Sequence, residues 1–543
     1  LIWHRSGKLK EITTSKLILL VALFLIAFDN FAFFSHMTEV YPANLRNLAF
    51  LGSIILFFGG LVILPLTLIC YRKTTKPVLI TILIISSFVG YFMDSYNVVI
   101  DTSMIQNAVN TDLHESLDLL SFKMVWYVLL LGVLPSIFIY RVKITHVPAK
   151  QELLSKLKLT ALSFGLIFLV PLAFSNYYAS FFREHKSIRY YANPSYYMYA
   201  SAKYVGSLIP SAPASVNQLG MDAKIPKGDD DRELVIMVVG ETARADRFSL
   251  NGYKRDTNPY LEKQNVFSFT NFWSCGTSTA ESLPCMFSVY NKSDYSRSKA
   301  QYTENLLDVL HHAGVNILWI DNNSDSKGVA QRVPHISYKT PQMNSVCDIE
   351  CRDEGMLAHL QSYIDQHPTG DIFIVLHQMG SHGPAYYKRY PAAFEKFTPC
   401  CHTNELQKCS LLEVSNAYDN TILYTDYFLS KVINLLKRND SGFESALFYV
   451  SDHGESLGEN GLYLHGLPSF IAPDTQRHVP AIFWFGKHYD DIDTGLLKAK
   501  LGQKFTHDNI FHTILGLMEI KTSLYDKTMD IVHDVKLVEA KKE

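Results

Sequence analysis

Five apolar runs, each long enough to cross a bilayer, crowd the first third of this chain and constrain its fold more than any other feature. A helical span needs about 17–25 apolar residues, because lipid satisfies no backbone group and solvates no charge. Residues 17–35 carry one charge, Asp29. Residues 48–70, 77–93, 124–140 and 159–182 carry none. Buried helices of a large soluble core would not gather five such runs in one stretch.

Loop charges orient the runs. Arg5, Lys8, Lys10 and Lys16 precede the first. Arg72, Lys73 and Lys76 follow the second, and Arg141, Lys143, Lys150, Lys156 and Lys158 follow the fourth. The two alternate loops hold only Arg46 and, at the edge, Lys123. Basic loops stay inside, so the start of the chain reads as cytoplasmic and everything after residue 182 as external. The first run has no small-residue cleavage site behind a short apolar core, so it reads as an anchor and not a signal peptide.

Residues 100–120 are polar but carry Met104, Ile105, Val109, Leu113 and Leu119, the pattern of a helix on the membrane surface. After the fifth run come Tyr177, Tyr178, Tyr190, Tyr191, Tyr196, Tyr197, Tyr199 and Tyr204. Tyr favours the water–lipid boundary, so this stretch is expected to rest on the bilayer. Residues 209–232, with Pro, Ser, Gly and an Asp triplet, read as a linker. The expected plan is a transmembrane domain over 1–182, an interfacial segment and linker over 183–232, and an outer catalytic domain over 233–543.

Whole-chain averages conceal this division. A mean hydropathy of +0.04 and a net charge of −2 come from summing two unlike parts. They still exclude some classes. With 48% hydrophobic and 13% aromatic residues the chain is not disordered. Fifty basic against 52 acidic residues argue against a dedicated nucleic-acid binder. Eight cysteines are too few for a disulfide-built scaffold.

From residue 233 short apolar runs alternate with helical periodicity. Strands are expected at 234–239, 317–320, 372–376, 446–450 and 481–485, and helices at 302–312, 352–365, 416–437 and 508–518. Apolar strands separated by helices predict a largely parallel sheet covered on both faces. Ligands bind beyond the carboxyl ends of such strands. Seven cysteines lie in this part. Local pairing in an exported domain predicts Cys275–Cys285, Cys347–Cys351 and Cys401–Cys409, with one of Cys400 and Cys401 left over. A zinc finger is disfavoured by the spacing.

Five segments concentrate polar chemistry. Glu241 follows the first strand, where it suits either a metal or a helix N-terminus. In Ser274–Cys285, a loop of small residues enters a helix, and Thr277, Ser278 and Thr279 each offer a hydroxyl near free N–H groups that suit a phosphoryl oxygen. Asn323 and Lys327 lie in a polar loop after the second strand. His382 follows the third. Asp452 and His453 follow the fourth, with His465 close behind. Glu241, Asp452 and His453 combine the carboxylate oxygens and imidazole nitrogen that zinc takes. Zinc would acidify a bound hydroxyl and neutralise phosphoryl oxygens.

Together with the five runs, the motifs GETARADRFSLNGY, SCGTSTAESLPCMFS, DNNSDSKG, HQMGSHGPAYYKRYP and YVSDHGESLGENGLYLHG resemble those of the phosphoethanolamine transferases, and best the lipid A branch that includes the colistin-resistance enzymes. The resemblance covers essentially the whole chain. It implies an alkaline-phosphatase/sulfatase-like α/β domain on a five-helix transmembrane domain. It selects Thr279 as nucleophile and implies zinc held by Glu241, Thr279, Asp452 and His453, with a second zinc as an option. It places His382 and His465 beside the metal, binding the phosphoryl group or assisting proton transfer. It implies substrate contacts from Asn323 and Lys327, and from Asn107, Thr111 and Glu115 on the surface helix. Cys400 departs from the family pattern beside one expected disulfide.

The implied reaction moves phosphoethanolamine from phosphatidylethanolamine to lipid A through a phosphothreonine and confers polymyxin resistance. A core-sugar or surface-protein acceptor is the alternative. Glycerol-phosphate transfer, as in lipoteichoic acid synthases, fits the CGTST and HQMGSHGP motifs poorly. The implied setting is the inner membrane of a Gram-negative bacterium with the catalytic domain in the periplasm. The expected partners are the two lipids, with no nucleic acid and no second protomer.

Overall fold

The computed structural model describes residues 11–110, 118–145, 147–185, 187–208, 215–226 and 231–537. The chain forms two compact units. The first comprises Leu1–Ile105 and Leu120–Leu208, the second Gln106–Leu119 and Ile209–Glu543.

Among the described residues of the first unit, four helices are individually long and apolar enough to cross a membrane: Asn47–Ile69, Thr75–Tyr96, Phe122–Arg141 and Ala149–Ala173. A fifth candidate is broken. Thr14–Phe28 and Phe31–Val40 meet at 59° around Asp29 and Asn30. A break in a span must satisfy the backbone groups it frees. Asn193 does so here. Its amide donates to the carbonyls of Asp29 (3.0 Å) and Ser86 (2.9 Å), and its N–H donates to Asn30 Oδ1 (2.9 Å). Asn30 Nδ2 returns a bond to the Asn193 carbonyl at 2.6 Å.

Two expectations shift. The apolar run at 159–182 is two helices, Ala149–Ala173 and Ser175–Glu184, and the unit continues through Ser195–Leu208. The Tyr-rich stretch is partly internal. Tyr178, Tyr190, Tyr191 and Tyr197 are buried, and only rings such as Tyr199 stay exposed. A Tyr hydroxyl needs a partner when buried, and Tyr191 donates to the Asn97 carbonyl at 2.8 Å.

In the second unit the described residues form ten strands in chain order: β1 Glu233–Gly240, β2 Phe267–Trp273, β3 Asn316–Asp321, β4 His335–Ser337, β5 Ile372–His377, β6 Glu444–Ser451, β7 Ser456–Leu457, β8 Tyr463–Leu464, β9 His478–Phe485 and β10 Phe505–Thr506. Eight make one sheet in the order β10-β2-β9-β6-β1-β5-β3-β4, while β7 and β8 pair separately. Only β9 runs against the others, being antiparallel to both β2 and β6. The central strand β1 is buried throughout. Its Val235, Met237 and Val239 enter one core and its Leu234, Ile236 and Val238 the other. That two-residue alternation is the signature of a strand covered on both faces. Leu411–Asn439, whose Ser410–Glu413 capping box fixes its start, covers one face. Leu306–His312 and Ile510–Leu517 cover the other. Because β1, β3, β5 and β6 are parallel, their carboxyl ends open on one edge.

Candidate active site and metal centre

Strands β1, β3, β5 and β6 each deliver polar groups at that edge. Glu241 follows β1, Asn323 lies two residues past β3, His382 five past β5, and Asp452 and His453 directly follow β6. Thr279 comes from the loop after β2 and is the first residue of the helix Thr279–Met286, with Ser278 as N-cap. The Cys275–Cys285 disulfide brackets that turn.

Glu241, Asp452 and His453 are fully buried, and their ligand atoms lie within 4.8 Å of one another. His453 Nε2 stands 3.3 Å from Glu241 Oε1 and 3.5 Å from Asp452 Oδ2. The Thr279 hydroxyl completes the group, donating to Glu241 Oε2 at 3.0 Å and lying 3.3 Å from His453 Nε2. His453 Nδ1 is 2.9 Å from the Gly454 carbonyl. A carbonyl only accepts, so Nδ1 carries the proton, and in the neutral ring Nε2 presents its lone pair to the centre.

These residues fit a divalent cation. Glu241 Oε1 and Asp452 Oδ2 are buried with no hydrogen-bond partner among the described residues. With a neutral His453 these two oxygens and the Nε2 lone pair converge with no donor between them, and such buried acceptors are costly unless a cation, or a proton on Nε2, meets them. The electrostatics agree. Burial opposes a charged His453, yet the Asp452 charge, the Glu241 hydrogen bond and the Glu241 charge together lift its pKa to about 10. Asp452 is pushed up to about 6 by burial and by the Glu241 charge. Burial would also raise Glu241, but the hydrogen bond and charge of His453 hold it low. The site attracts positive charge.

The surrounding residues hold this geometry. Asn323 Nδ2 donates to Glu241 Oε2 and to the Gln378 carbonyl, each at 2.7 Å. Its amide is thus aimed at a ligand residue and not at open space. Thr242, next to Glu241, has φ 53, a left-handed conformation that a β-branched residue rarely adopts. Its N–H faces Asp452 Oδ1 at 3.3 Å and its carbonyl accepts from the Tyr418 hydroxyl at 2.7 Å. Gly380 has φ 51, and a Cβ there would lie 2.9 Å from the Glu241 carbonyl. Only glycine lets this loop close on the ligand.

The three hydroxyls left open by the sequence are now distinguishable. Thr277 donates to the Leu467 carbonyl at 2.7 Å, and Ser278 holds the N-cap position without a side-chain cap bond, its hydroxyl unpartnered among the described residues; of the three, Thr279 meets Glu241 and His453. His465 lies beside His453 with ring centroids 4.3 Å apart and the rings tilted by 47°, and the His382 ring lies 5.7 Å from that of His465. Lys327 stands on the loop after β3. It lines a neighbouring cavity of about 250 Å³ with Pro284, Ser288, Arg297 and Arg332. Asn107 lies on the helix Thr102–Asn110, while Thr111 and Glu115 fall outside the described residues.

Three contributors were not singled out in the sequence. Glu455, buried, sits 3.2 Å from His465 Nδ1. His507 accepts from the Cys275 N–H (3.2 Å), while its Nε2 donates to the Ser451 carbonyl (3.0 Å). Asp353 accepts from the Met379 and Gly380 N–H groups and shapes the His382 loop. Glu455 was within reach as part of DHGES. His507 and Asp353 carry no local signal. The three expected disulfides are present, and Cys400 is the free thiol of its cluster.

Known proteins match both units of the chain. The family described as phosphoethanolamine transferase EptA/EptB matches residues 58–208, and the sulfatase family matches residues 233–520. Phosphatidylethanolamine transferase Mcr-1 of Escherichia coli is 43% identical over 98% of each chain. The chain belongs to the phosphoethanolamine transferase family. Phosphoethanolamine transferase EptA of Escherichia coli K12 is 40% identical to this transferase over 96% of its length and 97% of the relative's. The integral membrane lipooligosaccharide phosphoethanolamine transferase A of Neisseria meningitidis superposes on it with a TM-score of 0.92 and 38% identity. That match covers 97% of this transferase and all of the solved chain. A family shared over both units accounts for finding an apolar helical unit and a sulfatase-type sheet on one chain.

Proposed function

We propose that this inner-membrane transferase moves phosphoethanolamine from phosphatidylethanolamine to a phosphate of lipid A, with its catalytic domain in the periplasm. The observation that carries the reading is the Thr279 hydroxyl at 3.0 Å from Glu241 and 3.3 Å from His453, inside a buried cluster that attracts a cation. Thr279 is the nucleophile. Its oxygen bonds to the donor phosphorus, diacylglycerol leaves with a proton, and phosphoethanolamine stays on the threonine. A lipid A phosphate oxygen then bonds to that phosphorus, the bond to Thr279 breaks, and the hydroxyl is restored. Glu241, Asp452, His453 and Thr279 would hold zinc, which would acidify the hydroxyl and offset phosphoryl charge.

The chain's own groups do the rest. Thr279 begins a helix whose first N–H groups face the transferred group with the positive end of the dipole. His382 and His465 bind phosphoryl oxygens and exchange protons with the leaving and attacking oxygens. Asn323 holds Glu241 in place. Lys327 and Asn107 contact the lipid substrates, with Thr111 and Glu115 in the same role. The functional division follows the plan read from the sequence, a membrane domain to about 182, an interfacial segment to 232 and a catalytic domain beyond. The enzyme acts as a monomer.

Added ethanolamine offsets a lipid phosphate charge, which weakens cationic polymyxins. Mass spectra of lipid A test the reaction. Cells expressing the wild type gain the phosphoethanolamine mass, and cells expressing Thr279→Ala do not. Equal modification in both would remove Thr279 from the reaction. An unmodified lipid A in both, with another envelope component modified, would redirect the acceptor.

A further inference from the structure

The first unit holds a cavity of about 230 Å³, lined by residues of that unit. One wall is a stripe on the span Asn47–Ile69. Ile54, Phe57, Phe58 and Leu61 stand at i, i+3, i+4 and i+7, which puts them on one face of the helix. The stripe runs for about 10 Å at 1.5 Å per residue. Phe33, from the helix Phe31–Val40, brings its ring 5.3 Å from that of Phe58. Phe181, from Ser175–Glu184, adds a further apolar wall.

The rest of the lining differs in kind. Arg189 and Ser195 follow the last span, so they belong at the outer boundary of the bilayer. Arg189 is exposed, and among the described residues it pairs with no carboxylate. Its Nη2 donates to the Tyr190 hydroxyl at 3.1 Å, and its guanidinium lies 5.1 Å from the centre of that ring. The fork keeps further N–H donors of the kind that meet phosphate oxygens. Ser195 Oγ is buried and has no hydrogen-bond partner among the described residues. A buried hydroxyl without a partner is costly, and a ligand oxygen would supply one.

One ligand class satisfies both parts. A glycerophospholipid has an apolar chain to lie on the stripe and an anionic phosphodiester at the boundary. Free phosphate has nothing to place on Ile54 and Phe58, and diacylglycerol has no charge for Arg189. Lipid tails are as apolar as the cavity, so moving a chain from bilayer to cavity gains packing and little else. Selection therefore falls to the guanidinium.

We propose that this cavity is a glycerophospholipid site of the membrane unit, with one acyl chain along Ile54–Leu61 and the phosphodiester held by Arg189 and Ser195. The site needs no chemistry at Thr279.

The test titrates phosphatidylglycerol into the purified full chain in detergent and follows bound lipid by native mass spectrometry. This lipid has the phosphodiester but no ethanolamine to transfer. Wild type is expected to bind it. Arg189→Ala is expected to weaken binding about tenfold or more, and Arg189→Lys less, because an ammonium keeps the charge and loses the fork. Ser195→Ala is expected to weaken it about threefold. Diacylglycerol, with chains and no phosphate, and glycerol 3-phosphate, with phosphate and no chains, should each bind about tenfold more weakly or worse. Equal binding by wild type and Arg189→Ala, or of phosphatidylglycerol and diacylglycerol, would overturn the site. Arg189 is exposed, so its replacement reads binding and not folding. A phosphatidylglycerol with a photoreactive group on one chain reads position. Label on peptides carrying residues 54–61 or Phe181 is expected, and label confined to other segments overturns the cavity even where lipid binds. Leu61→Phe fills the cavity from its wall and should remove that label. If this variant does not fold, the wild-type label decides.

Discussion

Glu241 Oε2 accepts from the Asn323 amide at 2.7 Å and from the Thr279 hydroxyl at 3.0 Å, so one carboxylate oxygen joins a residue after β3 to the nucleophile after β2. Asn323 spends its other amide hydrogen on the Gln378 carbonyl. Asn323→Ala frees the Glu241 side chain without emptying the core. Partners that orient metal ligands change affinity or activity about 10–100-fold, and a loss of that size in zinc affinity and turnover is expected here. Zinc titration of the purified variant checks it. Wild-type affinity would leave Asn323 to substrate contact alone.

Glu455 is buried 3.2 Å from His465 Nδ1, and a carboxylate accepts, so it fixes the proton on Nδ1. Glu455→Gln keeps the volume but can turn its amide donor toward the ring. Turnover is expected to drop about tenfold or more, in the range seen when an orienting partner is lost. A variant with wild-type turnover would assign Glu455 to packing only.

The parts of this protein that were legible in the sequence have short-range causes. The spans follow from uninterrupted apolar length. Strands β1, β3, β5 and β6 follow from apolar runs that begin and end within eight residues, and the site residues follow because parallel strands put their ends on one edge. What stayed hidden has long-range causes. β2 reads Phe-Ser-Phe-Thr-Asn-Phe-Trp, and its pairing with β9 is broken by a register shift between Phe269 and Phe272. The break at Asn30 depends on Asn193, 163 residues away. Asn323 looked like a substrate contact because nothing in DNNSDSKG says its amide turns inward. Arg389 stands in a plain YYKRY run, yet two of its partners, Glu350 and Asp118, lie 39 and 271 residues away.

His507 gives the catalytic unit an acid sensitivity. Its Nδ1 accepts from the Cys275 N–H and its Nε2–H donates to the Ser451 carbonyl, so both ring nitrogens are used by the neutral form. Burial lowers its pKa from 6.5 to about 3, against the Ser451 hydrogen bond. Between those values the unfolded chain takes up a proton that the folded chain refuses. Stability is therefore complete above about pH 6.5 and falls as the pH drops toward 3, by about 1.4 kcal/mol per unit at most. Between pH 6.5 and 5 the wild type should lose about 2 kcal/mol that His507→Gln does not lose through this group. Heat unfolding of both proteins at the two pH values measures the difference, and parallel shifts would show that the ring is protonated in the folded state.

Cys275 and Cys285 close a loop of sequence separation 10 around Thr279. Cross-linking so short a loop removes unfolded-state entropy worth about 3 kcal/mol in the chain-entropy account. The Cys275→Ser/Cys285→Ser double variant is expected to unfold at a lower temperature by that margin. A second effect is local. Thr279 is the first residue of an eight-residue helix, and the loop before it is held by the Cys275 N–H on His507 and the Thr277 hydroxyl on Leu467. Those bonds remain in the variant, so the helix still forms, but the disulfide no longer limits how far Thr279 drifts from Glu241. Misplacement of a reacting group by about 1 Å costs about a hundredfold in rate. Turnover per folded molecule is therefore expected to fall well beyond what lost stability explains. Turnover at a temperature where both proteins are fully folded isolates that effect, and equal rates there would mean that the hydrogen bonds alone hold the nucleophile.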